Sequence, residues 1–399
     1  MPIHRFVWLQ LASILSVSSG ASAIPPSDAA LDPPRVVENP GPEYAASTRP
    51  FQGIPGIECA ANGRLWATWY GGGPTECREN YAMLATSAGD PAKWSDVKLV
   101  VDVPGLVRVF DPCLWHDPDG RLWFFWAQGF TWWDGRAGVW AMVTSNSSDE
   151  KPTWSKPRRL CDGIMMNKPI ALSNGDWLLP VSIWSRPPQV TDPAHVHDTT
   201  ATTGSHVYAS SDHGKTWTLR GTSNVDERMF DEHMVVERKD GVLWELVRTN
   251  YGIGEAFSKD RGATWEGAGP SKTVTHIPSA RFFIRRLASG KLLLVRHNPP
   301  DMKTRSHLTA YLSEDDGRTW TGGFLLDDRE CSYPDGVQAS DGTVHVIYDH
   351  ERKGAKQILV ATFMETDIAA GKPVSGKTKL RMLVNQATGT DPSAKEPAR

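Results

Sequence analysis

Short apolar runs alternate with polar turns along this chain, and one such unit returns six times. A strand-like run leads into a polar turn ending in glycine, and a strongly apolar strand follows. The copies are residues 51–70, 110–128, 166–184, 230–249, 280–297 and 332–350, with turn glycines Gly63, Gly120, Gly175, Gly241, Gly290 and Gly342. Pieces such as Asn62-Gly63 and Asp119-Gly120 between alternating apolar residues are hairpin signals. Successive turn glycines lie 49 to 66 residues apart, the length of one four-stranded blade.

A second unit falls between the first ones. Ser210–Trp217 reads SSDHGKTW, Ser258–Trp265 reads SKDRGATW and Ser313–Trp320 reads SEDDGRTW, with worn copies at Thr86–Trp94 and Thr144–Trp154. Asp and Gly suit a tight turn in which the carboxylate accepts backbone N–H bonds, and the Trp can pack between sheets. These aspartates are therefore expected to be structural, on the outer rim. The regular alternation predicts an all-β fold over residues 35–384: a six-bladed β-propeller of four-stranded antiparallel blades. The last inner strand lacks a box, so Arg35–Glu38 is expected to complete the last blade. Residues 24–34 and 385–399, rich in Pro, Ala, Asp and Ser, read as disordered ends.

Composition narrows the partners. Net charge is −3, from 43 basic and 46 acidic residues interspersed along the chain, which gives no electrostatic case for nucleic acid. Met1–Arg5 is basic, Phe6–Val17 mostly apolar and Ala21-Ser22-Ala23 a small-residue cleavage pattern. Residues 1–23 thus read as a signal peptide, and a secreted or periplasmic protein is expected. That apolar run is too short to span a bilayer, so no membrane partner is expected. Of the five cysteines, Cys59 and Cys77 are the expected bridge in an exported protein. No spacing suggests a metal site or a cofactor.

In a propeller the first strand of each blade lines the central channel. Gly53/Ile54, Asp111, Asn167/Lys168, Asp231/Glu232, Arg281 and Tyr333 open those strands. Buried charge is expensive unless paired or used, so the set reads as a polar small-ligand pocket. Trp132, Trp133 and Trp140 follow the second inner strand, where they could stack on a glycan or cap the core.

The C-terminal half adds a more specific pattern. Glu232 opens a strand and Arg248 lies sixteen residues on. Arg305 precedes Tyr333 by 28 residues, with the SEDDGRTW box between them. This order resembles the exo-sialidase family of six-bladed Asp-box propellers. The resemblance implies a retaining glycosidase, an exception to the two-carboxylate scheme in that its nucleophile is a tyrosine. Tyr333 would be that nucleophile and Glu232 its base. Arg248 and Arg305 would grip the carboxylate of a terminal acidic sugar, sialic acid first. The family also has an Arg before Ile-Pro in the first blade; here Gly53 stands there, and Arg281 or Lys168 is the expected substitute. The family's acid/base Asp lies on a first-blade loop. Here residues 71–81 (GGGPTECRENY) offer Glu76 and Glu79, of which Glu79 is the expected acid. Asp111, Asn167 and Asp231 are further expected sugar contacts. Two other readings stay open: hydrolysis or β-elimination on another acid such as a uronate, and a glycan-binding propeller without catalysis.

Overall fold

The computed structural model describes residues 29–105, 107–130, 136–184 and 202–391. The expected signal peptide, Trp132 and Trp133 lie outside them. The described chain forms six antiparallel sheets, each with four strands in sequence order from the axis outward. It is a six-bladed β-propeller. The innermost strands are Gln52–Cys59, Arg108–His116, Ile170–Ala171, Met234–Glu237, Phe283–Arg286 and Cys331–Gln338.

Each blade begins with the same hairpin, and the six turn glycines explain why. All six hold φ between 80° and 90°, a left-handed conformation that costs glycine nothing. In each, the glycine N–H donates to the carbonyl three residues back, as Gly63 does to Ala60 and Gly342 to Ala339, at 2.8 to 2.9 Å. The Asp boxes are self-contained turns of the same uniformity. Asp260 accepts from the Thr264 N–H and hydroxyl, while the Ser258 hydroxyl accepts from the Gly262 N–H. Asp212 and Asp315 repeat the arrangement. Two of the box glycines press on tryptophans of the preceding blade. A Cβ on Gly214 would lie 2.8 Å from Trp123, and one on Gly317 would fall against the Trp244 ring, 2.6 Å from Cη2 and nearer still to Cζ3. The boxes thus fasten neighbouring blades together through the buried aromatic layer that includes Trp115, Trp123 and Trp177.

Ring closure differs from expectation. Arg35–Glu38 pairs with Leu99–Asp102 as a fifth strand on the first blade, with Arg35 opposite Asp102. The Arg35–Asp102 ion pair (2.8 Å) and the packing of Val36 on the cluster holding Leu99 and Val101 favour that edge. The last blade takes its outer strand, Lys379–Gln386, from the C-terminal segment. First and last blades are joined without a shared sheet, by side chains and by a few backbone bonds such as Thr388 N–H to the Ala46 carbonyl at 2.9 Å. Asp349 accepts from Ile54 N–H and Asp335 from Ile57 N–H, both at 2.9 Å, and Gln52 Nε2 donates to the Lys356 carbonyl at 2.7 Å.

Both expected loose ends carry structure where they are described. Ala30 is fully buried, and the carbonyls of Ala29, Ala30 and Asp32 accept from Gln128 Nε2; the final strand runs on to Gln386. All five cysteines are free thiols, so the Cys59–Cys77 bridge does not form. Cys59 ends the innermost strand opposite Leu65, whereas Cys77 sits in the loop beyond Gly71, at the other end of that hairpin. Seven residues of strand, roughly 23 Å, separate the two ends, and a disulfide needs Cα atoms within about 7 Å. Trp140 lies in the core between Trp126 and Met142, where packing takes the place of glycan stacking.

Candidate active site

Three innermost strands share one irregularity, and it aims side chains at the axis. Ile54, Asp111 and Tyr333 each precede a proline, each has positive φ (56°, 48° and 54°), and each starts a register shift in its inner hairpin. In every case two residues oppose one on the partner strand, which is a β-bulge. A non-glycine residue held at positive φ before proline is strained, and such strain gathers at functional sites. The fourth blade reaches the axis by a different route. Phe230, Asp231 and Glu232 all have positive φ (57°, 55° and 46°), and the Glu232 N–H donates to the Phe230 carbonyl at 2.6 Å. This tight turn ends two residues before the strand at Met234 and presents the Glu232 side chain to the sixth blade.

There the pieces meet. Tyr333 Oη donates to Glu232 Oε1 at 3.2 Å, and the same oxygen accepts from Arg248 Nη1 at 2.6 Å. Glu232 Oε2 is buried with no hydrogen-bond partner. Arg248 Nε donates to the Ser279 hydroxyl at 3.3 Å and Arg305 Nη2 to the Ser279 carbonyl at 3.4 Å, so one loop residue holds both cations. The Arg305 guanidinium lies 5.7 Å from the Tyr333 ring centroid. Burial, with Glu232 beside it, pushes the Tyr333 phenol up to about 12, despite Arg248, Arg352 and Arg305. The phenol is therefore neutral at physiological pH, and its proton points at a carboxylate. Burial opposes the charge on Arg248, but Glu232 and Tyr333 outweigh it and hold its pKa raised.

A third cation, absent from the sequence reading, joins them. Arg352 lies 5.0 Å from the Tyr333 centroid, pairs with Glu76 at 2.8 Å and sits 4.0 Å from Asp349. Glu76 also approaches Arg108, at 4.0 Å, and Arg108 in turn lies 4.0 Å from the Phe110 centroid. Of the two loop glutamates it is Glu76 that faces the funnel. Glu79, the expected acid, pairs with Arg78 at 3.1 Å with its side chain half exposed, and its hydrogen bond with Cys77 holds its carboxyl below the usual range. Asp111 is 3% exposed. Burial pushes its carboxyl up to about 8; Arg108 opposes this, and Glu76 and Glu232 add to it.

Other expected contacts prove to be struts below the pocket. Lys168 Nζ donates to the carbonyls of Ile57 and Leu114 and to Glu58, and lies 3.1 Å from Asp335. It ties together the inner strands of four blades. Burial works against its charge, but Asp335 and Glu58 outweigh it and raise its pKa; burial also works against Glu58, which Lys168 and His116 nevertheless hold down at about 2. Arg281, 1% exposed, donates to Asn167 Oδ1 at 2.6 Å and lies 3.9 Å from Asp335. Lys168 is spent on buried partners, whereas Arg281 keeps Nη1 buried without a hydrogen-bond partner among the described residues. Asn167 Nδ2 donates to the carbonyls of Glu232 and His233, so it props the Glu232 turn from beneath. Asp231 pairs with Arg228 at 2.9 Å, and His233, lowered to about 3 by burial, bonds the His206 carbonyl. Lys168→Met should consequently act on stability. Breaking a buried ion cluster costs about 3–5 kcal/mol, seen as a fall of several degrees in Tm. An unchanged Tm with weakened sugar binding would instead make Lys168 a ligand contact.

The signal for Arg352 was present but local. It stands three residues after Asp349, at the end of the strand that pairs with the Tyr333 strand. The repeated X-Pro step at Ile54-Pro55, Asp111-Pro112 and Tyr333-Pro334 would have marked the bulges.

Comparison with known proteins agrees with this architecture. The model of the BNR repeat-like domain matches residues 63–346. The chain belongs to that family. This BNR-repeat propeller is of the sialidase superfamily. A sialidase of Bacteroides fragilis (strain YCH46) is 26% identical over 212 residues, 48% of this chain and 36% of that protein; the match thus spans little more than a third of that relative. Among solved structures, a Hadza microbial sialidase superposes with a TM-score of 0.61 at 20% identity, covering 80% of this chain and 66% of that one. The intramolecular trans-sialidase of Ruminococcus gnavus, solved with oseltamivir carboxylate, gives 0.62 at 14% identity, covering 83% and 98%.

Proposed function

We propose that this propeller is an exported exo-glycosidase that releases a terminal acidic sugar, sialic acid first, through a covalent Tyr333 intermediate. One observation carries the reading: a neutral, buried phenol donates its proton to a carboxylate oxygen that is fixed at the same time by an arginine. A lone phenol is a poor nucleophile at neutral pH, and an adjacent base removes that obstacle. Arg248 and Arg305 supply cations beside it for the sugar carboxylate. A neutral tyrosine, unlike an aspartate, does not repel that carboxylate on approach.

In the first step the Tyr333 oxygen bonds to the anomeric carbon as Glu232 Oε1 takes the phenol proton. The bond from that carbon to the leaving oxygen breaks, and the leaving oxygen receives a proton. The proton comes from Asp111, whose carboxyl burial holds up at about 8. In the second step the Asp111 carboxylate takes a proton from water, whose oxygen bonds to the anomeric carbon. The phenol departs and regains its proton from Glu232. Configuration is retained after the two displacements.

The pH profile follows. Asp111 serves as acid only while protonated, and its carboxyl is held up at about 8. Turnover of a sialoside with a poor leaving group should therefore be level from neutral pH up to that value. It should fall about tenfold per unit above it, and Asp111→Asn should remove this alkaline limb together with most of the rate. An unshifted limb in Asp111→Asn, with its loss in Glu76→Gln, would move the acid role to Glu76. A substrate with an activated aryl leaving group should be much less sensitive to either variant.

A further inference from the structure

The guanidinium of Arg352 occupies a place that the first blade has left empty for it. A Cβ built on Gly53 would fall 2.6 Å from Arg352 Cγ and 2.9 Å from Asp349 Oδ2, well inside the closest approach of real side chains. Gly53 does not need glycine for its backbone, since it is not among the glycines of positive φ. What the position requires is the absence of a side chain. The Arg352 stem runs through that gap and carries the cation from just past the sixth blade's second strand, Val344–His350, to the Tyr333 ring, 5.0 Å from its centroid. Two further contacts define its course. Glu76, from the loop after the first blade's second strand, takes Nη1 at 2.8 Å, and Asp349 stands beneath Nε at 4.0 Å. Asp349 itself is fixed by the Ile54 N–H across the ring closure.

The charges around Tyr333 make this arrangement informative. Arg305 and Arg352 flank the same phenol ring, and Arg248 bonds the carboxylate that the phenol bonds. Burial works against the Arg352 charge, but Asp349, Tyr333 and Glu76 outweigh it and hold its pKa raised, so the guanidinium stays charged at any working pH. Its one close carboxylate, Glu76, belongs to a surface loop and has over a third of its side chain exposed. The guanidinium therefore keeps donors for a ligand.

We infer that Arg352 is a third carboxylate-binding residue of this pocket, that Gly53 exists as glycine to seat it, and that Glu76 orients it. This rests on the acidic-sugar reading above. It adds to that reading a cation delivered from the sixth blade through a gap in the first, where Arg281 and Lys168 were expected to serve.

The test is a double-mutant cycle on the full chain, read by binding. Wild type, Gly53→Ala, Arg352→Ala and the double variant are titrated with N-acetylneuraminic acid and with its methyl ester. Arg352→Ala should weaken the acid by roughly 10- to 100-fold, the range for losing a charge-assisted hydrogen bond, and should leave the ester nearly unaffected. Gly53→Ala should show most of the same loss, because its methyl group displaces the arginine stem. In the Arg352→Ala background Gly53→Ala should then cost little more, since coupled neighbours are not additive. Equal losses for acid and ester, or additive effects of the two substitutions, overturn the inference while the function stands. Absence of acid binding by the wild type overturns the function and this inference with it. A far-UV spectrum and Tm for each variant identify any that misfolds, and for such a variant Arg352→Lys, which keeps the charge without the planar fork, supplies the comparison.

Discussion

Tyr333→Phe should abolish turnover of sialosides while leaving the protein folded. The substitution removes one oxygen and nothing else. The ring stays, so the stacking of Arg305 and Arg352 at 5.7 and 5.0 Å is preserved. One hydrogen bond is lost, the 3.2 Å contact to Glu232 Oε1, and that oxygen keeps its bond from Arg248. The expected stability change is thus small, about 1 kcal/mol, and substrate binding should be nearly intact. The rate should fall by a factor on the order of 1,000 or more, because the oxygen that forms the covalent intermediate is gone. Mass spectrometry supplies the second measurement. A 3-fluorinated sialyl substrate that slows the second displacement should leave an adduct on the Tyr333 peptide of the wild type and none in Tyr333→Phe. Full activity in the variant would end the covalent mechanism, and an unsaturated product from the wild type would point to elimination.

The blade count was legible because each blade repeats its own local chemistry. Six turn glycines and three intact boxes fix hairpins by contacts within a few residues, and such contacts are written in consecutive sequence. Closure of the ring was not legible for the same reason. The strand Arg35–Glu38 reads equally well beside either edge; its choice of Leu99–Asp102 depends on Asp102 being free for Arg35 and on Val36 meeting Leu99 and Val101. The contacts that join the blades, Asp349 to Ile54 and Asp335 to Ile57, span 295 and 278 residues, and no local pattern announces them.

The site divides along a similar line. Glu232, Arg248, Arg305 and Tyr333 were found by their spacing, and the structure brings all four together around one phenol. Arg281, Lys168 and Asn167 were placed near the axis, and the structure gives each of them buried partners there. Their positions along the axis follow from the sequence, but depth does not. Two or three residues further along an inner strand stand the carboxylates Glu58 and Asp335, 2.8 and 3.1 Å from Lys168, with Asp335 3.9 Å from Arg281. Arg352 escaped notice because it lies beyond the end of its strand, after Asp349, and enters the pocket sideways over Gly53. The vacancy at Gly53 was visible in the sequence, whereas the side chain that fills it was not.

Glu232→Gln should separate the two roles that one carboxylate combines. The amide is nearly the same size, and its oxygen can still accept from Arg248, so the Glu232 turn with its left-handed residues 230–232 and its support by Asn167 should survive. Lost are the base that takes the Tyr333 proton and the counterion of Arg248, since an amide oxygen accepts a hydrogen bond but not a proton. Attack must then proceed from a phenol raised to about 12 with no base in contact. A fall in kcat of roughly 100- to 10,000-fold is expected for a missing general base. Binding should move the other way: with its internal partner gone, Arg248 has its charge free for the sugar carboxylate, so KM should stay level or fall. A loss confined to KM would assign Glu232 to binding alone. Glu232→Ala offers the complementary measurement, since it opens space between Arg248 and Tyr333 for a small carboxylate. Added formate should restore part of the rate of Glu232→Ala and none of the rate of Tyr333→Phe; without that difference the proton path from Tyr333 does not run through Glu232.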